Sequence, residues 1–332
     1  MGPGQSDRQS GSKTFFFLAL ILWVASGIGV ADGSPPVSKK IPDMTPRWGA
    51  SAVRLSVGKV FITGGFMGHD VGSSEIYDPA TQVWTEVAAD PHPRTSSSAV
   101  ALPDGRVLVT GGYNGTYLGT TEFYDPVHNR WNESTDDPVP RGGGVSVLLR
   151  NGTVFVTGGF NDTGFLASSE IFDPASGFWR EVRPDPVPRW AATAVSLHDG
   201  TVLVVGGYNG ENLGGVERYD PDSNIWKTLT PDPTPRWGAA AVAIPSGDVL
   251  VIDGYRDGYL GSAEIYSPAH DTWNPVSPDP IAREKAVAVL LSNGLVLVDG
   301  GLNQGGLLSS GELYDPVHDR WERLTSKGGP AH

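Results

Sequence analysis

Tryptophan falls at positions 84, 131, 179, 226, 273 and 321, so the chain repeats itself every 47 or 48 residues. Other landmarks keep the same step. Arg occupies 47, 94, 141, 189, 236 and 283, each after Pro or Ala. A glycine pair closes an apolar run at Gly64-Gly65, Gly111-Gly112, Gly158-Gly159, Gly206-Gly207 and Gly300-Gly301; the fifth copy reads Asp253-Gly254. A Glu-x-aromatic step follows at Glu75/Tyr77, Glu122/Tyr124, Glu170/Phe172, Glu217/Tyr219, Glu264/Tyr266 and Glu312/Tyr314. A period in this range marks stacked copies of one supersecondary unit.

Each copy divides into four strand-sized pieces. The first alternates small and apolar residues, as in residues 237–244 (WGAAAVAI), and the second is an almost pure apolar run such as Val202–Val205. A run of that kind is too apolar for a sheet with one wet face and requires burial on both. Asp104-Gly105, Asn151-Gly152 and Asp199-Gly200 supply tight hairpin turns between these two pieces. The third piece carries the Glu-x-aromatic step and the fourth begins at the Trp. Four strands alone cannot cover two apolar faces. A closed ring of such sheets can, and it leaves only short edges. The fold class is therefore all-β: a six-bladed propeller with four antiparallel strands per blade.

The glycine pair, the Glu-x-Tyr-Asp step and the following Trp resemble the Kelch repeat, which implies one propeller blade per copy. The resemblance spans residues 42–324. In-phase recurrence assigns most of the repeated residues to the scaffold. The glycines permit φ > 0 and close approach. The Trp is expected to pack between blades, and the repeated Arg and Glu to form charge-assisted hydrogen bonds. Asp43, Asp90, Asp137, Asp185, Asp232 and Asp279, four residues before each Arg, read as turn formers.

Outside the repeats, residues 1–31 carry Arg8 and Lys13, an apolar stretch from Phe15 and small residues up to Ala31. This describes a secretory signal peptide, or an N-terminal membrane anchor if it is retained. Residues 32–41 read as a linker, 42–326 as the propeller and 327–332 as a C-terminal tail. The protein is expected outside the cytoplasm: secreted, extracellular or periplasmic, or tethered to a membrane by residues 15–31. All six strand sets are complete in linear order. Trp321–Leu324 is thus expected to be the outer strand of the last blade, with residues 37–41 a competitor or an extra edge.

Net charge is −13, against the excess of clustered Lys and Arg that nucleic acid binding needs. The chain has no cysteine, which removes disulfides, thiolate metal sites and cysteine nucleophiles. Some exported Kelch propellers are domains of copper oxidases, but that activity requires a cysteine. No cofactor or metal is expected. The steps Glu122-x-x-Asp125-x-x-His128 and Glu312-x-x-Asp315-x-x-His318 resemble ligand sets, yet they are the repeat's own turn with a His appended. Sequons at Asn114, Asn132, Asn151 and Asn161 would be glycosylated in a host that adds N-glycans.

Function on such a scaffold belongs to the loops of one face, where the six-fold pattern breaks. After the glycine pairs, Tyr113, Tyr208 and Tyr255 with Arg256 and Asp257 offer rings beside hydrogen-bonding groups. After the Arg of each copy come Trp48, Thr95, Gly142, Trp190, Trp237 and Glu284. Trp48, Trp190, Trp237, Arg236 and Arg283 are candidate ligand contacts. The least symmetric cluster is Asp253, Asp257, Asp299, Arg283, Glu284 and Lys285. The leading expectation is a monomeric binding module that holds a protein or glycan on the channel-face loops. The alternative, which the resemblance permits, is an exported carbohydrate-active propeller such as a sugar epimerase or mutarotase. Arg283, Glu284, Asp253 and Asp299 are its candidate catalytic groups.

Overall fold

The computed structural model describes residues 39–41 and 45–324. Residues 1–31, expected as a signal peptide or anchor, and the C-terminal tail lie outside the described residues, as does Asp43. Six antiparallel four-stranded sheets follow one another along the chain at 51–87, 98–133, 145–181, 193–228, 240–276 and 287–323. Within each, strand order from the axis outward is sequence order. Neighbouring innermost strands contact one another around the whole ring, the last against the first.

The pattern within a blade explains its order. The second strand is buried at every position, from Val60–Thr63 in blade one to Val296–Asp299 in blade six. It lies between its sheet neighbours and is covered on both faces by adjacent blades, so only apolar β-branched and aliphatic residues suit it. The fourth strand, such as Ile225–Thr228, is mostly exposed and carries the polar residues. The innermost strand uses small residues because six of them converge on the axis. They line a cavity of about 220 Å³.

The repeated Trp joins blades. Phe155 stacks on Tyr219 of the next blade at 4.5 Å, and Trp226 lies on that same Tyr at 5.0 Å. The Trp226 indole donates to the Arg183 carbonyl of the preceding blade at 3.0 Å, and Trp131, Trp179, Trp273 and Trp321 repeat this bond. Beside it, Asn224 accepts from the Tyr219 hydroxyl and from the Arg183 amide, both at 2.9 Å.

The repeated Arg ties each blade together. Arg189 Nη1 donates to the carbonyls of Gly206 and Gly215, Nε donates to Val187, and Nη2 pairs with Glu217. The Asp four residues earlier does more than form a turn. Asp185 accepts from the Val187 amide and also pairs with Arg189 at 3.0 Å. Asp90, Asp137, Asp232 and Asp279 pair likewise. These groups are buried, and burial pushes Glu170 up to about 7 against the pull of Arg141.

Two closed rings of backbone hydrogen bonds complete the propeller without a disulfide. In one, the second glycine of each pair donates to the Arg carbonyl of the next blade, from Gly65 to Arg94 (2.8 Å) round to Gly301 and Arg47 (3.0 Å). In the other, residues 49, 96, 143, 191, 238 and 285 each donate to their counterpart in the preceding blade, at 2.7–3.3 Å. Trp321 does lie in the outer strand of blade six, Arg320–Arg323. Lys39–Ile41, expected at the end of the linker, pairs outside Val83–Val87 as a fifth strand of blade one.

Candidate functional site

The second hydrogen-bonded ring is the collar of the channel mouth. All six of its residues have a left-handed backbone: Gly49, Ser96, Gly143, Ala191, Gly238 and Lys285. Glycine is the low-strain choice there. At Gly143 space also demands it, since a Cβ would lie 2.3 Å from Trp190 Nε1. The collar thus holds the Trp190 ring flat over the neighbouring blade.

Outside the collar, the residue after each Arg bridges to the residue after each glycine pair. The pairs are Trp48–Phe66, Thr95–Tyr113, Gly142–Phe160, Trp190–Tyr208, Trp237–Tyr255 and Glu284–Leu302. These bridges assemble half-exposed rings into a belt. Tyr113, Tyr117, Phe160, Phe165 and Tyr208 follow in contact at 5.0–5.8 Å. Trp190, Trp237, Tyr255 and Tyr259 form a second run at 5.2–5.4 Å. Arg256 and Asp257 are exposed at the tip beside it.

The structure therefore brings Trp48, Trp190, Trp237, Tyr113, Tyr208 and Tyr255 to one face. Arg236 and Arg283 sit elsewhere. Both are buried in the Asp–Arg–Glu scaffold, with donors engaged by backbone carbonyls and carboxylates. A ligand would have to dismantle a blade to reach them. Asp253 and Asp299 are also buried and do not line the cavity. Asp253 occupies the slot of the first glycine, with φ 63°, against Asp279 and 3.9 Å from Arg283. Burial, with Asp279 beside it, raises its carboxyl far above the ordinary range. Asp299 replaces the Thr of blades one to three. There Thr63 hydrogen-bonds Ser74 across the register, whereas Asp299 faces Gly311. Burial pushes Asp299 up to about 7.

Of the asymmetric cluster, Lys285 reaches the mouth, while Glu284, next to it in the chain, is buried and does not line the cavity. Lys285 lines the cavity, and its Nζ donates to Ser96 Oγ at 2.9 Å, four blade-steps back along the chain. The same nitrogen lies 4.7 Å from the Trp48 ring and 4.3 Å from the Trp190 ring. Sequence reasoning placed Lys285 in the cluster without a role, and missed Ser96, Tyr117 and Tyr259. The available signal was position: Lys285 stands where other blades carry Gly, Ser or Ala, and Tyr117 and Tyr259 lie four residues beyond Tyr113 and Tyr255.

The two His motifs do not assemble. His128 and His318 are exposed and bond Asp125 and Asp315 at 2.6 and 2.7 Å, whereas Glu122 and Glu312 are buried on Arg94 and Arg283. A different set converges in blade two, where ligand atoms of Asp90, His92 and Glu122 lie within 4.8 Å of one another. Arg94 already pairs with both carboxylates, so a cation would have to displace a guanidinium.

The geometry defines a class: a propeller with an aromatic, asymmetric mouth on the face of its blade-connecting loops. The Kelch motif matches residues 94–137, 189–233 and 285–328, and the described residues form a six-bladed propeller. Among solved structures, one titled "Structure of YjhT" is similar with TM-score 0.73 and 19% identity. The match covers 85% of this chain and 99% of that one. Identity at that level shows a common fold. No curated protein sequence matches this one.

Proposed function

We propose that the protein is an exported binding module that holds a glycan or a protein segment on the channel face. The observation that carries this reading is the aromatic belt. Half-exposed Trp and Tyr rings in two contacting runs circle one mouth, next to the exposed Arg256–Asp257 tip. Rings of this kind offer sugars and peptide backbones an apolar plane bordered by hydrogen-bonding groups, at small entropic cost because the rings are already held. The opposite face, formed by hairpin turns such as 103–106 and 198–201, exposes single apolar side chains such as Val127, Phe178 and Val317 but no comparable run of contacting rings among the described residues.

A glycan array and a peptide library, probed with the purified chain and with Trp237→Ala, test this reading. Binding lost by about ten-fold or more in the variant supports it. Hits that the variant retains at full strength reject the belt as the site.

A second reading, a carbohydrate-active enzyme, is favoured by one observation. Lys285 places an amine at the mouth and Glu284 a buried acid next to it in the chain, each held away from its ordinary pKa by burial. On this reading Glu284 is the acid/base group. Arg283, Asp253 and Asp299 would serve only as its buried support.

A further inference from the structure

Lys285 reaches the mouth in a way that no other collar residue does. Its backbone is pinned in the left-handed region by the hydrogen-bonded ring, and its stem crosses blade five's collar position. There a Cβ on Gly238 would lie 3.1 Å from Lys285 Cγ. The nitrogen is fixed by Ser96 Oγ and flanked by the two indole faces. Among the described residues no carboxylate forms an ion pair with it. The backbone of the neighbouring Glu284 is held just as firmly. Glu284 exchanges both backbone hydrogen bonds with Leu302 at 3.0 Å and is only 7% exposed, and its Oε2 has no hydrogen-bond partner. A buried oxygen without a partner is uncommon and points to a missing partner.

From this arrangement we infer that Lys285 is a carbonyl-capturing amine, which condenses with a small aldehyde or ketone at the channel mouth while Glu284 carries the protons. The activity goes beyond glycan or protein binding and does not depend on it. The amine nitrogen attacks the carbonyl carbon and forms the C–N bond, and the π electrons pass to oxygen, which takes the Glu284 proton. The nitrogen then returns a proton to the Glu284 carboxylate. That proton converts the hydroxyl of the carbinolamine into leaving water, and a C=N bond remains. One carbonyl and one amine give one imine and one water, with no oxidant or reductant.

The electrostatics fit this cycle. Burial lowers Lys285 to about 8, against the opposing pull of Glu284, so about a tenth is free base at pH 7, far more than for an ordinary lysine. Burial raises Glu284 to about 7, against the opposing pull of Lys285, so it can both give and accept a proton there. The indole faces attract an ammonium ion, but they also strip it of water, and burial is the larger influence. The cavity of about 220 Å³ leaves room for a small carbonyl compound.

The test uses the full chain, D-glyceraldehyde and sodium cyanoborohydride at pH 7, with peptide mapping by mass spectrometry. The borohydride traps any imine as a stable secondary amine. Lys59 and Lys227 are internal references on the outer surface. Lys285 is expected to be labelled about ten-fold faster than either, as a desolvated amine should be. Glu284→Gln is expected to slow Lys285 about five-fold or more and to leave Lys59 and Lys227 unchanged. An unchanged thermal melt shows that this variant is folded. Labelling of Lys285 at or below the reference rate overturns the inference. An unchanged Lys285 rate in folded Glu284→Gln overturns the role of Glu284.

Discussion

Asp299→Asn should stabilise the protein, and the gain should grow as pH rises. Asp299 is 2% exposed and has replaced a threonine of the repeat, and its Oδ1 has no hydrogen-bond partner. Burial raises the carboxyl from its ordinary 3.8 to about 7. The Gly300 amide and Arg283 oppose that shift, while Glu312 and Glu75 reinforce it. A folded-state pKa above the unfolded value means that the native protein binds the extra proton. Stability is therefore full below about pH 4 and is lost as pH climbs toward 7. The full displacement corresponds to about 4 kcal/mol, of which about 2–3 kcal/mol falls between pH 5 and pH 8. Asparagine keeps the shape and has no proton to lose. Urea unfolding of both proteins at pH 5, 6, 7 and 8 should show a difference that widens by about 2–3 kcal/mol over this range. The other buried acids are common to both chains, so the difference isolates position 299. A difference that stays flat with pH would refute the reasoning.

Two further outcomes test the scaffold. Arg141→Ala should cost about 3–5 kcal/mol, because it leaves Asp137 and Glu170 buried without their cation. Arg130→Ala, which removes an exposed partner of Asp125, should change stability by no more than about 1 kcal/mol in the same urea assay. At the seam, a chain starting at residue 42 loses only the added edge strand Lys39–Ile41. It should melt within a few degrees of the full chain, as a loss of about 1 kcal/mol predicts. A chain ending at 318 loses Arg320–Arg323 and the Trp321 bond to Ser277, and should lack a cooperative melt altogether. Equal damage from both truncations would contradict this assignment of the closing blade.

The fold was legible because its physics is local and repeated. The second strand of each copy is apolar over its first three residues and buried throughout, which only two-sided burial accommodates, and the Trp spacing counted the blades. The scaffold role of Arg, Glu and Trp was legible for the same reason: a group present six times belongs to the repeat. The Asp before each Arg was read as a turn former, and its second role was hidden. That role depends on a guanidinium folding back four residues, which spacing alone does not reveal. The site was legible only as a face. Trp48, Trp190 and Trp237 broke the pattern in the right loops, but Asp253 and Asp299 broke it too and lie buried in the wall with the repeat's own Arg283. The chain turns sharply at the left-handed collar, so Arg283 is buried in the wall while Lys285, two residues on, reaches the axis. That divergence is a property of the ring of hydrogen bonds, which closes only when all six blades are in place.

Hydrogen–deuterium exchange of the chain, with and without its strongest glycan or peptide hit, tests the central claim most directly. The account predicts slowed exchange at the channel-face loops, in segments 66–70, 113–117, 208–212 and 255–259. Turns of the opposite face, such as 103–106 and 198–201, should stay unchanged. Protection confined to the opposite face, with the aromatic loops unaffected, would contradict the assignment of the channel mouth as the binding site.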